Sequence, residues 1–273
     1  MEPAARRLFR LVEPIHLVTY LSEEPTDALM ALGHRNYWDG YFAGRAAPLG
    51  PVPAAVVHAA FYNFADGEVA RHIPRVWNTA TPAAALAARQ RGSVAALRRI
   101  LGDLADSPGL ARAADLATRA ATSAPTEGRI LYAGLRALPL PEEPVARLWH
   151  AATLLREHRG DGHIAALVAA GIRGTEAHVL HALSDGLPAE KFGRVHHLPA
   201  AQLAAVVDGM RARGLVAASG WLSDAGRETK MWIESRTDDL AAPAYDALEP
   251  SELDQLIADL TPISAALDAA GSR

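Results

Sequence analysis

Residues 199–227 contain, in order, the signals for a helix, a very short hairpin and a second helix, and few folds accommodate that order. Pro199 marks the first helix start, because a helix leaves its first amides without partners and proline has no amide hydrogen. A turn at Ser219 and Gly220 follows, and Ser223 has the position of a helix N-cap. The first helix has an apolar face, formed by Leu203, Val206, Val207, Met210 and Leu215. The pattern predicts a mainly α chain with a short β-wing between two helices.

Helical spacing of apolar residues continues on both sides of this stretch. It predicts further helices at residues 108–121, 175–183 and 251–269. No apolar run approaches the roughly 18 residues of a membrane-spanning helix. The chain has no cysteine, which excludes disulfides and thiolate chemistry and leaves His and carboxylate groups as metal ligands. We therefore expect a globular, cytoplasmic protein that has no membrane partner.

The hairpin and its flanks carry a family resemblance. The run Met210-Arg211-Ala212-Arg213-Gly214-Leu215-Val216, followed by Trp221-Leu222-Ser223-Asp224-Ala225-Gly226-Arg227, resembles the recognition-helix end and the wing-to-helix junction of MarR-type winged-helix regulators. The similar stretch covers residues 199–238. The whole chain is also similar to an actinobacterial helix-turn-helix family in which two such lobes are fused. The MarR resemblance implies a small-molecule site between a DNA-binding lobe and a helical interface, whereas the second resemblance implies a fold and no activity.

Four landmarks recur in the same order in the two halves of the chain. This order favours two fused winged-helix-like lobes, residues 1–125 and 126–273, that form a pseudo-dimer within one chain and are related by pseudo-twofold symmetry. Residues 82–100 are then predicted to be the recognition helix of the first lobe, and the wing of that lobe is predicted to be degenerate. Chance matching in a chain rich in Ala and Arg is the alternative. The landmark pairs are His34-Arg35 with His158-Arg159, Ala65-Asp66-Gly67 with Ser184-Asp185-Gly186, Arg75-Val76-Trp77 with Arg194-Val195-His196, and Pro82-Ala83-Ala84 with Pro199-Ala200-Ala201.

Ionisable residues and glycines are concentrated at residues 156–163, between two apolar helical segments. Gly160 and Gly162 predict a sharp turn that brings His158, Asp161 and His163 towards one point. Such a loop could bind a metal, hold an anionic ligand through Arg159 and loop amides, or act as an acid–base group. A polar loop that only caps the flanking helices is the simplest alternative.

The matching segment of the first lobe is rich in aromatic residues. Rings at Tyr37, Trp38, Tyr41 and Phe42 follow His34 and Arg35 closely. They have the composition of a pocket wall for a flat or anionic molecule, or of a buried aromatic cluster. We predict that both segments line one pocket between the lobes. The candidate ligand-binding residues are His34, Arg35, Trp38, Asp39, Tyr41, Arg45, His158, Arg159, Asp161 and His163.

The charge distribution and the motifs narrow the function further. Residues 137–273 carry 12 Arg and Lys against 19 Asp and Glu, and the wing has no basic residue, so a strong DNA reader is disfavoured. No nucleotide-binding or hydrolase motif is present, and neither a cofactor nor a metal site is assigned. We favour a small-molecule-binding protein (a sensor, a sequestering resistance protein or a degenerate regulator) with an aromatic or anionic ligand. A DNA-binding transcription regulator is the first alternative. An enzyme that uses His158, Asp161 and His163 is the second.

Overall fold

The computed structural model describes residues 3–191 and 198–271. The prediction of a mainly α chain is confirmed. None of the described helices is long and apolar enough to cross a membrane. The α-helices of the described residues are α1 (Ala4–Leu21), α2 (Glu23–Met30), α3 (Tyr37–Ala46), α4 (Ala54–Phe61), α5 (Pro82–Leu101), α6 (Pro108–Ser123), α7 (Ile130–Arg136), α8 (Pro144–Ala169), α9 (Gly174–Ser184), α10 (Ala200–Ala212), α11 (Asp224–Ala241) and α12 (Pro250–Gly271).

Helix α8 is the central element of the fold. It packs against α1, α6, α7 and α11. Its buried residues lie on all sides, as expected of a helix that is surrounded by others. The largest apolar cluster joins α8 to α1, α5, α6 and α12, and two smaller clusters fill the space among α2 to α5 and among the end of α8, α9, α10 and α11.

The two predicted helices of residues 199–227 are present as α10 and the start of α11, and a tight turn joins them. Val216 and Leu222 form a single antiparallel bridge, and no longer strand occurs in the part of the chain that the structure describes. The turn between them closes through the bond from the Gly220 amide to the Ala217 carbonyl, 3.0 Å. Ser223 caps α11 as predicted, accepting a 3.0 Å hydrogen bond from the Gly226 amide. The predicted β-wing is therefore not confirmed, because the segment is a turn closed by one bridge.

The prediction of a glycine loop at residues 156–163 is wrong, because α8 runs through it without a break. Gly162 does not form a turn; it leaves space for neighbouring side chains that pack against α8. A Cβ atom there would lie 2.1 Å from the Arg129 guanidinium and 3.2 Å from the Leu240 side chain. The residue is small because another chain segment approaches the helix closely at that point.

Two landmark pairs of the predicted duplication share local structure, but the histidine pair does not. Gly67 and Gly186 both have a positive φ. Pro82 and Pro199 both stand at helix starts. His34 lies in the connection before α3, whereas His158 lies in the middle of α8. The Arg194-Val195-His196 landmark lies outside the described residues. Helix α5 is a core element, with Arg89, Gly92 and Ser93 buried, while α10 buries only Met210. The equivalence of α5 with a recognition helix is therefore not visible, and the pseudo-twofold relation stays a prediction.

The boundary predicted near residue 125 falls between α6 and α7. Helix α6 packs along α8 and α12, so the largest apolar cluster includes residues from both predicted lobes. The division into two lobes stays a prediction. In this fold the two predicted lobes share one apolar core.

Candidate ligand cleft

A cleft runs along one side of α8. Its larger part, about 470 Å³, lies among α1, α8, α9 and α11, and a part of about 250 Å³ extends towards α3 and α4. We call both parts together the α8 cleft, because Asn63, Arg156, Gly160, His163 and His178 line both. The further residues of the larger part are Phe9, Glu13, Arg159, Leu167, Ala177, Leu180, His181, Lys230, Ile233, Glu234 and Thr237; those of the smaller part are Tyr41, Arg45, Phe61, Phe64, Glu157 and Ile164.

His163 lies where the two parts meet, and its hydrogen bonds define its tautomer. Its Nδ1 lies 2.9 Å from the Thr237 hydroxyl, which donates its own hydrogen to the Ile233 carbonyl at 2.7 Å. The hydroxyl must therefore accept from Nδ1, and Nε2 is left as the acceptor nitrogen. Burial lowers the pKa of His163 to about 4, so the ring is neutral at neutral pH. His163 thus contributes a neutral hydrogen-bond acceptor to the cleft.

Three cationic side chains line the cleft near His163. Arg156 is bonded to Glu157 at 3.3 Å, Lys230 is paired with Glu234, and Arg159 lies 3.0 Å from Asp238. Burial alone would raise the pKa of Glu157, but Arg45 and Arg156 hold it at about 2. Glu157 is therefore ionised, the pKa of Glu234 is lowered by Lys230 against the effect of burial, and each of the three cations has a carboxylate partner that fixes its position.

The end of the cleft near α3 is aromatic. The Arg45 guanidinium lies 4.3 Å from the centre of the Phe61 ring and donates to the Tyr41 hydroxyl at 3.0 Å. Phe64 lies 6.0 Å from Tyr41, ring centre to ring centre. This end offers flat apolar faces beside a cation, whereas the α9 and α11 end is polar.

Four of the predicted site residues line the cleft: Tyr41, Arg45, Arg159 and His163. Two of them come from each half of the chain, and that they form one ligand pocket stays a prediction. Arg159 is the most constrained of them, since its side chain also lies over the Phe9 ring at 4.4 Å.

The other residues predicted near α3 lie elsewhere. Asp39 is buried and accepts hydrogen bonds from His72 at 2.7 Å and Arg75 at 2.6 Å, which lower its pKa against the effect of burial. His34 lies in the connection before α3, and its side chain is buried. The neighbouring Arg35 is exposed. Trp38 packs edge-on against Tyr41, 5.4 Å between ring centres. Apart from Tyr41, this segment therefore serves packing more than ligand contact, and Phe42 is fully buried.

His158 and Asp161 do not converge with His163. A continuous helix turns about 100° per residue, so His163 lies on the opposite side of α8 from Asp161. Asp161 accepts the Tyr132 amide at 3.0 Å, and the His158 ring packs on Tyr132 at 5.0 Å. Burial raises the pKa of Asp161 to about 6 and lowers that of His158 to about 4. The predicted acid–base or metal group of these three residues is therefore not formed, and no cluster of three possible metal ligands occurs among residues 3–191 and 198–271.

Several lining residues were missed in the sequence, and helical spacing was the signal that could have found them. His178 and His181 lie three apart on α9, and Lys230, Glu234 and Thr237 share a face of α11. His178 donates from Nε2 to the Asn63 carbonyl at 2.9 Å, which ties α9 to the segment after α4. His178 and Asn63 are 115 residues apart, so local sequence patterns could not predict this contact.

Comparison with known proteins agrees with this architecture. A family model described as a helix-turn-helix family matches residues 5–272. The chain therefore belongs to this helix-turn-helix family. No curated protein and no solved structure matched the chain.

Proposed function

We propose that the chain is a small-molecule-binding helix-turn-helix protein and that the α8 cleft is its ligand site. The observation that carries this proposal is the volume and position of the cleft. Its larger part measures about 470 Å³, within the range of small-molecule sites, and the cleft as a whole extends from the aromatic residues of α3 and α4 to α9 and α11. The tandem, MarR-like arrangement predicted from the sequence is consistent with a pocket between the halves.

The lining favours a planar aromatic ligand with an anionic group. Tyr41, Phe61 and Phe64 supply ring faces at one end. Arg156 and Lys230 supply positive charge towards the other end, and His163 adds a neutral acceptor for a hydroxyl or an amide. The two ends suit different parts of one amphipathic molecule.

The position of the cleft also supports a sensing role. His178 and His181, which line it, are on α9, and α9 packs against α10 within one apolar cluster. A ligand in the cleft touches α9 and α11 together, so its binding free energy depends on the position of α9. By linkage, that ligand shifts the equilibrium between positions of α9.

A titration with the fluorescent aromatic sulfonate 8-anilinonaphthalene-1-sulfonate tests the ligand site. We expect saturable binding at one site, and Arg156→Ala to weaken it at least about 10-fold through loss of a charge-assisted contact. Arg211→Ala, on the exposed face of α10, is the matched control and leaves the affinity unchanged. Equal affinity of the wild type and Arg156→Ala, or a uniform loss in both variants, contradicts the assignment.

DNA binding through α10 is a second candidate, favoured by the family match and by the exposure of this helix. The exposed face offers Gln202 and Arg211 to a duplex, while the hairpin adds no cation. We expect weak binding to a pool of random duplexes in fluorescence anisotropy, with a salt slope that Arg211→Ala reduces by about 1. No binding at low salt, or a salt slope unaffected by Arg211→Ala, contradicts DNA binding through this helix.

A further inference from the structure

A second, smaller pocket lies among α1, α2, α3 and α5, and Tyr41 and Arg45 line both this pocket and the α8 cleft. Its free volume is about 10 Å³, close to that of a single water-sized particle. Tyr20, Tyr41, Arg45 and Arg89 line it, and Thr26 and Met30 form its rim. We call it the Arg89 pocket.

Arg89 is the reason to regard this pocket as a binding site. The side chain is 2% exposed, and its Nε and Nη2 atoms have no hydrogen-bond partner among the described residues. It forms no ion pair there either; its guanidinium lies 5.4 Å from the centre of the Trp149 ring, and Glu157 is the carboxylate whose pKa its charge helps to lower. A buried guanidinium without an anion is costly, since removal of a charge from water is repaid only by a partner or a counter-charge.

Two groups near Arg89 are further buried donors without an acceptor in the described part of the chain. The Nε atom of Arg45 and the hydroxyl of Tyr20 are also buried without hydrogen-bond partners. Glu157 is the carboxylate next to Arg45, at 3.5 Å, and it is shared with Arg156 at 3.3 Å. The pocket is therefore lined by two guanidinium groups and a hydroxyl donor, with less negative charge than positive charge around it.

We propose that the Arg89 pocket binds one small monovalent anion. Its volume limits the occupant to a halide or to the end of a carboxylate, and its donors, from Arg89, Arg45 and Tyr20, are those that such an anion accepts. The rim at Thr26, Met30 and Tyr37 is partly exposed and gives the anion a path from solvent between α2 and α3. This site is separate from the α8 cleft, although Tyr41 and Arg45 line both.

The test compares thermal unfolding in sodium chloride, sodium formate and sodium gluconate at matched ionic strength. An anion that binds only the folded chain raises the Tm, here by roughly 2–4 °C over gluconate, which is too large to enter. Chloride and formate distinguish a halide site from a carboxylate site; a response to either one supports the proposal. The same Tm in all three salts overturns it.

Variants locate the effect. Arg89→Met removes the anion-dependent rise, whereas Arg91→Met, an exposed arginine on the same helix, retains it. Tyr20→Phe deletes a single hydroxyl and reduces the rise without removing it. An undiminished response in Arg89→Met overturns the proposal.

Anomalous scattering from a bromide-soaked crystal of the wild type gives an answer that does not depend on the stability of a variant. A bromide peak beside Arg89 supports the site, and bromide peaks at the surface alone overturn it. Because Arg89 does not line the α8 cleft, these outcomes are independent of the 8-anilinonaphthalene-1-sulfonate titration.

Discussion

At the scale of single residues, glycine was the least predictable part of this chain. Gly160 and Gly162 lie two residues apart on α8, and nothing in the sequence shows that one serves packing and the other does not. Their difference depends on Arg129, which donates to the His158 carbonyl at 2.7 Å and to the Leu240 carbonyl at 2.8 Å. A contact between residues so far apart in the chain is set by the tertiary fold, so local sequence could only suggest a turn.

Two alanine substitutions test this explanation. Gly162→Ala is expected to destabilise the chain by about 2–3 kcal/mol. The Arg129 guanidinium donates to two carbonyls, so it cannot move away from an added Cβ without losing these hydrogen bonds. Gly160→Ala meets its nearest neighbour at 3.5 Å and is expected to be neutral or stabilising by about 0.5–1 kcal/mol, since alanine favours a helix. Urea unfolding gives both values. Equal effects of the two substitutions would show that α8 is not packed on Arg129 in this way.

The buried histidines predict how stability depends on pH. The folded-state pKa of His158 is lowered from 6.5 to about 4 by burial, so the unfolded chain binds more protons in that range and stability falls as pH falls from 6.5 to about 4. His150 and His163 act in the same direction. Asp161, whose pKa is raised to about 6, opposes them between its usual 3.8 and about 6.

His158→Phe keeps the ring beside Tyr132 and removes the proton-binding group. We expect the loss of stability on acidification to shrink by up to roughly 3 kcal/mol relative to the wild type. Urea midpoints measured at pH 6.5 and at about pH 4 test this expectation. An unchanged difference between the two midpoints would mean that His158 is as easily protonated in the folded chain as in the unfolded one.

At the scale of elements, helices with an apolar face and the two ends of the central helix were predictable, but the continuity of the central helix through residues 156–163 was not. Helices α6, α9 and α12 lie within a few residues of their predicted bounds, and α10 and α11 begin beside the predicted start signals Pro199 and Ser223. Helix α8 is buried on all sides, so its sequence has no polar face to show the period of a helix. Its buried ionisable residues resembled a loop because their partners lie on other elements. The α8 cleft was predictable at Tyr41, Arg45, Arg159 and His163, and its α9 and α11 side was not.

The junction between the hairpin and α11 provides a prediction at this scale. Ser223→Ala removes the cap on the Gly226 amide and the bond to the Gly214 carbonyl, and should cost about 1 kcal/mol. Ser219→Ala, at the exposed turn of the same hairpin, is the control and should change the free energy of unfolding by less than about 0.5 kcal/mol. Chemical denaturation of both variants tests the difference, and a similar loss in both would contradict the capping role.

At the scale of the whole molecule, the shared core predicts one cooperative unit. Helices α6 and α8 lie on opposite sides of the predicted lobe boundary and pack along each other, so separation at residue 125 exposes both apolar faces. We expect fragments 1–125 and 126–273 to lack cooperative urea transitions when expressed alone, and the full chain to unfold in one transition. A cooperative transition of fragment 126–273 alone would support independent lobes instead.

The α8 cleft extends from the aromatic residues of α3 and α4 to the polar residues of α9 and α11. A crystal structure of the chain with 8-anilinonaphthalene-1-sulfonate tests its proposed role as the ligand site most directly. The account predicts the rings of the probe near Tyr41 and Phe64 and its sulfonate near Arg156. Probe density confined to the exposed surface, for example beside Trp221 or Met231, would contradict the account.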